Sequence, residues 1–171
     1  MIKGTVLHPG CGNEPLPVFM AGAIETRLDI DAECNPDIVA SITDMGDIGP
    51  FDHVYTSHTL EHLYQYDVAT ALNEFHRVLN PGGSAIIFVP DVEGVTCNND
   101  VLYESLAGPI CGIDLFYGLT SYVKQNPYYA HHTAFTKDTL EAQLIDAGFE
   151  KVVVKRMADH NLMAVGIKAK V

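Results

Sequence analysis

Two glycines one residue apart, Gly10 and Gly12, follow the short β-branched and apolar run 5–8. Glycines where a strand turns into a loop let the backbone pass close to a ligand and aim its N–H groups, which suits an anionic group. The dinucleotide fingerprint needs a third glycine where this chain has Pro15, so the diphosphate of NAD or FAD is disfavoured. Asp29 stands seventeen residues beyond Gly12, at the end of a second strand-like run. That interval is close to the one at which a carboxylate accepts both hydroxyls of a ribose. The combination points to a nucleoside-bearing ligand without a diphosphate, and the competing reading of Asp29 is a solvated strand-end acid.

Histidines supply the other candidate chemistry. His58, just past a fourth strand-like run, and the His131-His132 pair could take a proton from a substrate, as could Asp91 at the end of a fifth run. Structural roles compete in each case: His58 capping a turn, Asp91 serving as a turn acid, and His131 and His132 sitting in an exposed loop flanked by aromatic residues. His58-Thr59-Leu60-Glu61-His62 also spells H-x-x-E-H, the zinc-binding string of inverzincin peptidases. That chemistry needs the string inside a long helix so that both imidazoles face one metal. Here it directly follows a strand, and Tyr64-Gln65-Tyr66-Asp67 interrupts the helix-like stretch beyond it, so no metal is expected.

These residues are positioned by alternating strand-like and helix-like segments, the pattern of an α/β domain on a largely parallel sheet. Strands are expected over 5–8, 26–30, 38–42, 51–57 and 84–90, with a brief helix over 15–23. Within 67–79, Val68, Ala71, Leu72, Phe75, Val78 and Leu79 recur at helical spacing, and Asn80-Pro81-Gly82-Gly83 stops the helix. Thr136 reads as the N-cap of a helix that carries Leu140, Leu144 and Ile145 on one face and ends at Ala147-Gly148. A terminal antiparallel hairpin over 151–156 and 162–168 follows.

Only seven residues, 31–37, join the second and third strands, whereas a helical crossover needs roughly a dozen. An extended loop must replace the helix there, and residues 43–50 can likewise cross extended. Residues 91–135 break the rhythm, with Tyr103, Phe116, Tyr117, Tyr122, Tyr128 and Tyr129 scattered among Gly, Pro and Asn. An insert of this length is usually functional.

Composition narrows the field. The 171 residues hold ten Lys+Arg against 22 Asp+Glu, a net charge of −12, with 47% apolar residues. One soluble domain is expected, and a chain of this size buries roughly 70% of its unfolded surface without staples. So few basic residues disfavour nucleic acid and anionic membrane as partners. Cys11, Cys34, Cys97 and Cys111 contain no C-x-x-C pair and read as free thiols of a reducing cytoplasm. Met1-Ile2-Lys3-Gly4 leads straight into a strand-like run with no signal peptide, so a cytoplasmic location is expected.

Taken in order, the motifs resemble those of a small, type 11-like class I S-adenosylmethionine-dependent methyltransferase, most clearly over residues 4–93. The first motif is similar to Val6-Leu7-His8-Pro9-Gly10-Cys11-Gly12-Asn13, the ribose acid to Asp29, and the adenine-side acid to Asp44 in Ile42-Thr43-Asp44-Met45. The fourth-strand motif is similar to the stretch from Phe51 to His62, and the turn into the fifth strand to His76-Arg77-Val78-Leu79-Asn80-Pro81-Gly82-Gly83. The resemblance implies a Rossmann-like sheet of order 3-2-1-4-5-7-6 with strand 7 antiparallel and reduced helices between strands 2 and 4. It also implies S-adenosylmethionine as cofactor and S-adenosylhomocysteine as product. Cofactor contacts would come from His8, Gly10, Cys11, Gly12, Asp29, Asp44, Met45, Ser57 and His58. Backbone N–H groups at Gly10–Gly12 would take the methionine carboxylate, and the Met45 amide would join Asp44 at the adenine edge.

The expected reaction is in-line methyl transfer to a small-molecule or sugar-like acceptor, within one domain spanning 1–171 and with 92–135 as a lid. His58, Asp91, His131 and His132 are the candidates for proton removal. The insert's tyrosines could stack on an acceptor ring or form the interface of a homodimer. A catalytically idle cofactor-binding subunit is the alternative, kept open by the missing helices. A nicotinamide oxidoreductase is a third reading, against which Pro15 argues.

Overall fold

The computed structural model describes residues 1–170. Its elements, in chain order, are β1 (Thr5–Pro9), β2 (Ile24–Asp29), β3 (Ile38–Val39), β4 (Phe51–Ser57), α1 (Gln65–Arg77), β5 (Leu79–Pro90), β6 (Val101–Ser105), β7 (Gly108–Cys111), α2 (Gly112–Tyr117), α3 (Thr120–Val123), α4 (Lys137–Asp146), β8 (Lys151–Met157) and β9 (Asn161–Ile167). Seven strands form one sheet in the order β3-β2-β1-β4-β5-β9-β8, while β6 and β7 make a separate hairpin. β1 to β5 are parallel, and β9 runs antiparallel between β5 and β8. This is the doubly wound order expected, with the last strand inserted in reverse.

Alternation along each strand sorts the side chains into two layers. One layer holds Leu7, Leu28, Val54, Ala85, Ile87, Leu162 and Ala164, and both long helices cover it. α1 contributes Val68, Ala71, Leu72 and Phe75, and α4 contributes Leu140 and Leu144. Each of these larger side chains gains about 1.5–3 kcal/mol by leaving water. The opposite layer is small: Val6, Met20, Tyr55 and Ile86. The helix expected over 15–23 is reduced to a single 3-10 turn, Val18–Met20, because Pro15 and Pro17 leave too few N–H groups to continue it. Ile145, expected on the buried face of α4, is 56% exposed, since the α4 stripe that meets the sheet is Leu140 and Leu144 alone.

The short crossovers are extended, as their lengths required. β3 itself is only two residues rather than 38–42, and one 3-10 turn, Ala32–Cys34, stands before it. The segment after β3 is fastened to α1 instead of forming a helix: Glu74 Oε2 accepts the Met45 N–H at 3.0 Å, and Arg77 donates to the Gly46 carbonyl at 2.8 Å. Arg77 also pairs with Glu74 at 2.6 Å. At the end of α1, Lys168 Nζ donates to the carbonyls of His76 and Leu79, each at 2.8 Å, which satisfies groups the helix leaves free.

At the amino edge of the sheet, Asp52 ties three strands. Its Oδ2 accepts the Thr5 N–H at 2.9 Å and the Thr5 hydroxyl at 3.1 Å, while Oδ1 accepts from Asn80 at 3.0 Å. Gly4 (φ +102°) lets the chain come this close, since a Cβ there would stand 2.5 Å from Asp52 Oδ2. The Thr5 N–H, the Asn80 amide and the Thr5 hydroxyl together hold the Asp52 carboxyl below the usual carboxylate range. A carboxyl depressed on folding stabilises the protein above its unfolded value of about 3.9, and that stability is lost as pH falls from there through the lower folded value. Asp52→Asn is therefore expected to lower Tm by about 2–4 °C at pH 7. The difference from wild type should shrink steadily below pH 4, and thermal melts across that range check it.

Candidate active site

The loop after β1 is held from beneath. Gly10 N–H donates to the Leu28 carbonyl at 2.8 Å, Cys11 N–H to the same carbonyl at 3.3 Å, and Gly12 N–H to Asp29 Oδ2 at 2.8 Å. Three N–H groups expected to face a ligand carboxylate are thus committed to β2, a correction to the sequence-based expectation. From the other side Arg27 donates to the Gly12 carbonyl at 2.6 Å and to the Glu14 carbonyl at 2.9 Å. Arg27 was not singled out in the sequence. The signal was available: Glu25, Arg27 and Asp29 alternate along β2 and so lie on one face beside the loop.

The two loop glycines differ in what they allow. Gly10 (φ +67°) lies against Thr59, whose side chain a Cβ would meet at 2.3 Å, whereas Gly12 (φ +48°) faces open space with nothing within 4 Å. That space is part of a cavity of about 600 Å³, large enough for a nucleoside-sized ligand. His8, Gly10, Cys11 and Gly12 form one wall, and Ser57 and His58 another. The insert closes it with Ile110, Leu115, Tyr122, Tyr129 and His131.

His8 is 2% exposed, with its ring edge on Tyr55 and its Nδ1 2.7 Å from Glu25 Oε1. Burial pulls its pKa below the ordinary histidine value in spite of Glu25. The neutral ring donates from Nδ1 to the carboxylate, which leaves Nε2 as an acceptor. Burial also pushes the Cys11 thiol up to about 11, so it remains a protonated thiol rather than a nucleophile.

Beyond β4 the chain turns sharply. His58 adopts a left-handed conformation (φ 52°), and a 3-10 turn, Leu60–His62, follows. Glu61 is 1% exposed; its Oε1 lies 3.1 Å from His58 Nδ1, and its Oε2 has no hydrogen-bond partner among the described residues. Burial would raise the Glu61 carboxyl, but its bond to His58 and the fields of His62 and His131 bring it below the ordinary range. Partial loss of solvation would lower His58, half of whose side chain stays exposed, but its bond to Glu61 and that carboxylate's charge outweigh it, so His58 is raised.

Residues 130–133 of the insert strap across this turn. The Glu61 carbonyl accepts the N–H groups of His132 (2.8 Å) and Thr133 (3.1 Å), and the Thr133 hydroxyl donates to the Leu63 carbonyl at 2.6 Å. His131 is thereby set beside His62, with ring centroids 5.1 Å apart. Burial lowers the His131 pKa, keeping it neutral.

Other expected residues lie outside this cavity. Asp91 is buried, but Arg156 donates to its Oδ2 at 3.0 Å and the Glu93 N–H to its Oδ1 at 3.0 Å, so it is a structural acid and not a base facing substrate. His132 points away, stacked on Tyr64 at 4.4 Å between centroids. The Met45 amide belongs to Glu74, and its side chain is 2% exposed in the core, which removes it from the expected adenine edge. Asp29 stands behind the loop at 9% exposure, and Asp44 is exposed on the turn after β3. Glu61 and His62 entered the sequence reading only inside the rejected zinc string and the fourth-strand motif, with no role of their own.

The sheet order, the reversed β9 and the glycine loop at the carboxyl end of β1 define a class I methyltransferase fold. Residues 7–87, just under half of the chain, match the family model described as a methyltransferase domain, in keeping with that fold. No curated protein matches the sequence. Among solved structures, 98% of the chain superposes on 72% of a 1,6-didemethyltoxoflavin-N1-methyltransferase from Burkholderia thailandensis, at 18% identity and a TM-score of 0.62. An O-methyltransferase family protein from the same organism matches over 97% of this chain and 51% of its own, at 12% identity and a TM-score of 0.61. The N-methyltransferase NodS from Bradyrhizobium japonicum matches over 96% and 85%, at 14% identity and a TM-score of 0.58. Among the described residues no helix is long and apolar enough to cross a membrane.

The two glycines give separable expectations. Gly10→Ala should cost roughly 3 kcal/mol or more, because it combines a positive φ with a collision against Thr59. Gly12→Ala should cost only about 1–2 kcal/mol, yet lose the thermal stabilisation by S-adenosylhomocysteine, since its new methyl enters the cavity. Thermal shifts with and without the product check both.

Proposed function

We propose that this protein transfers the methyl group of S-adenosylmethionine to a small molecule held between the carboxyl edge of the sheet and the insert 92–135, which serves as lid to a single domain over 1–171. The observation that carries this reading is the one cavity shared by the glycine loop, the end of β4 and the aromatic insert. The Burkholderia thailandensis methyltransferase of the same fold was solved with a small molecule, 1,6-didemethyltoxoflavin, and S-adenosylhomocysteine bound, which supports an acceptor of that size.

When bound, S-adenosylmethionine supplies a methyl group on a cationic sulfonium, a donor reactive enough that positioning and dryness account for much of the acceleration. The chain's residues fit it. Open space over Gly12 admits a ligand against the backbone. Each oxygen of Asp29 holds one backbone N–H, from Gly12 and Asp31, and keeps a lone pair for a ribose hydroxyl. The ligand would thus extend from the cavity over the loop, its ribose toward Asp29 and its adenine toward Asp44, which is exposed on the turn after β3. The free Nε2 of His8 accepts from the α-ammonium of the methionine tail. Asp114 on the cavity wall favours the positive sulfonium. His58, 51% exposed and tethered through Nδ1, presents Nε2 to take the proton that the acceptor gives up as its bond to the methyl carbon forms.

Asp29→Ala should abolish the stabilisation by S-adenosylmethionine and S-adenosylhomocysteine. His58→Ala should keep it while lowering S-adenosylhomocysteine release with a metabolite extract by about 100-fold or more. Neither compound stabilising the wild-type protein would overturn the assignment, and binding without any turnover on such extracts would favour an idle cofactor-binding subunit.

A further inference from the structure

We infer that Glu61, His62 and His131 form a binding site for a single divalent transition-metal ion on the wall of the cavity. A carboxylate oxygen of Glu61 and one ring nitrogen of each histidine lie within 4.8 Å of one another. Ligand atoms of a tetrahedral site with bonds of about 2.1 Å stand roughly 3.4 Å apart, so a small inward movement of side chains closes the shell.

The hydrogen bonds around the cluster orient all three groups as ligands. His62 Nδ1 is 3.1 Å from the Ala130 carbonyl, and His131 Nδ1 is 2.9 Å from the Leu115 carbonyl. A carbonyl only accepts, so each Nδ1 carries the hydrogen and each Nε2 is left with a bare lone pair. Donation of the second ring N–H to a backbone carbonyl is the usual support of a metal-bound histidine. Glu61 adds a second, independent sign: its carboxylate is 1% exposed, Oε1 is held by His58, and Oε2 has no partner among the described residues. A buried carboxylate oxygen left bare is costly and rare. Three neighbouring side chains thus offer two imidazole lone pairs and a bare carboxylate oxygen, and a single cation would satisfy all three.

This arrangement uses the H-x-x-E-H string differently from a zinc peptidase. The first histidine, His58, holds the glutamate, the last two residues ligate, and the remaining ligand arrives from the insert about seventy residues later. Two nitrogens and one oxygen suit zinc, cobalt, manganese or iron better than magnesium, which prefers oxygen alone. Coordination positions left open toward the cavity could take a hydroxyl of the acceptor; that role, unlike the site, rests on the methyl-transfer reading.

Zinc and cobalt titrated into the chelator-stripped full chain should each bind once, with magnesium at least about 100-fold weaker. His131→Ala and His62→Ala should each weaken zinc binding beyond the about 10–100-fold typical of losing an outer-shell partner, and abolish the visible cobalt spectrum. Glu61→Gln should do the same if it folds, as judged by circular dichroism. His132→Ala, adjacent but outside the cavity, should bind like wild type. Zinc binding that is absent, or that the His62 and His131 substitutions leave unchanged, would overturn the inference. Product-induced stabilisation without zinc binding refutes the metal site alone, whereas zinc binding without any response to cofactor refutes the methyl-transfer reading alone.

Discussion

The carboxyl end of β1 is pinned from both sides, and the site depends on that. On one flank the Leu28 carbonyl of β2 receives the N–H groups of Gly10 and Cys11. On the other, the Thr56 hydroxyl of β4 donates to the Pro9 carbonyl at 2.9 Å. Parallel strands end their hydrogen-bonding pattern at a common edge, so this double anchor sets the loop, Asp29 and His58 at one level. A loop held this way loses little further freedom when it meets a ligand, which is where a preformed site gains affinity.

The rest of the fold shows how few helices such an edge requires. Two long helices cover one layer of the sheet, while a single 3-10 turn and a few side chains cover the other. Segments too short to make helices are fixed by particular side chains instead: Glu74 and Arg77 hold the chain after β3, and Arg27 holds the loop after β1. Backbone groups that a helix would have satisfied internally are satisfied by charged donors and acceptors drawn from neighbouring elements.

Much of the architecture was legible in the sequence because it rests on periodicity and turn residues. Val68, Ala71, Leu72 and Phe75 mark α1 by spacing alone, and the seven residues of 31–37 rule out a helical crossover by length. The glycine loop and its acids were legible as residues, but not in their hydrogen bonds. Nothing in the pattern Gly10-Cys11-Gly12 tells that the N–H groups turn toward Leu28 and Asp29, since this depends on the register of β1 against β2. Asp91 read equally as a proton acceptor or a turn acid, because the partner that decides between them, Arg156, lies on β8. Glu61 was illegible for the opposite reason: its string matched a known helical motif, while the chain places it on a tight turn after a left-handed histidine.

The insert leaves and rejoins the sheet at one place. Asp91 and Phe135 form a parallel bridge, and the Val92 N–H donates to the Phe135 carbonyl at 3.0 Å. Between them runs a loop with its own hairpin and short helices, held at these adjoining ends and by the strap 130–133 across the turn after β4. Loop-closure entropy rises only slowly with length, so such a loop can be lengthened, shortened or exchanged at small thermodynamic cost to the sheet that carries it. The fold thereby separates inheritance into two parts: a conservative platform that evolves under packing constraints, and a graftable cassette on which selection for a new acceptor can act.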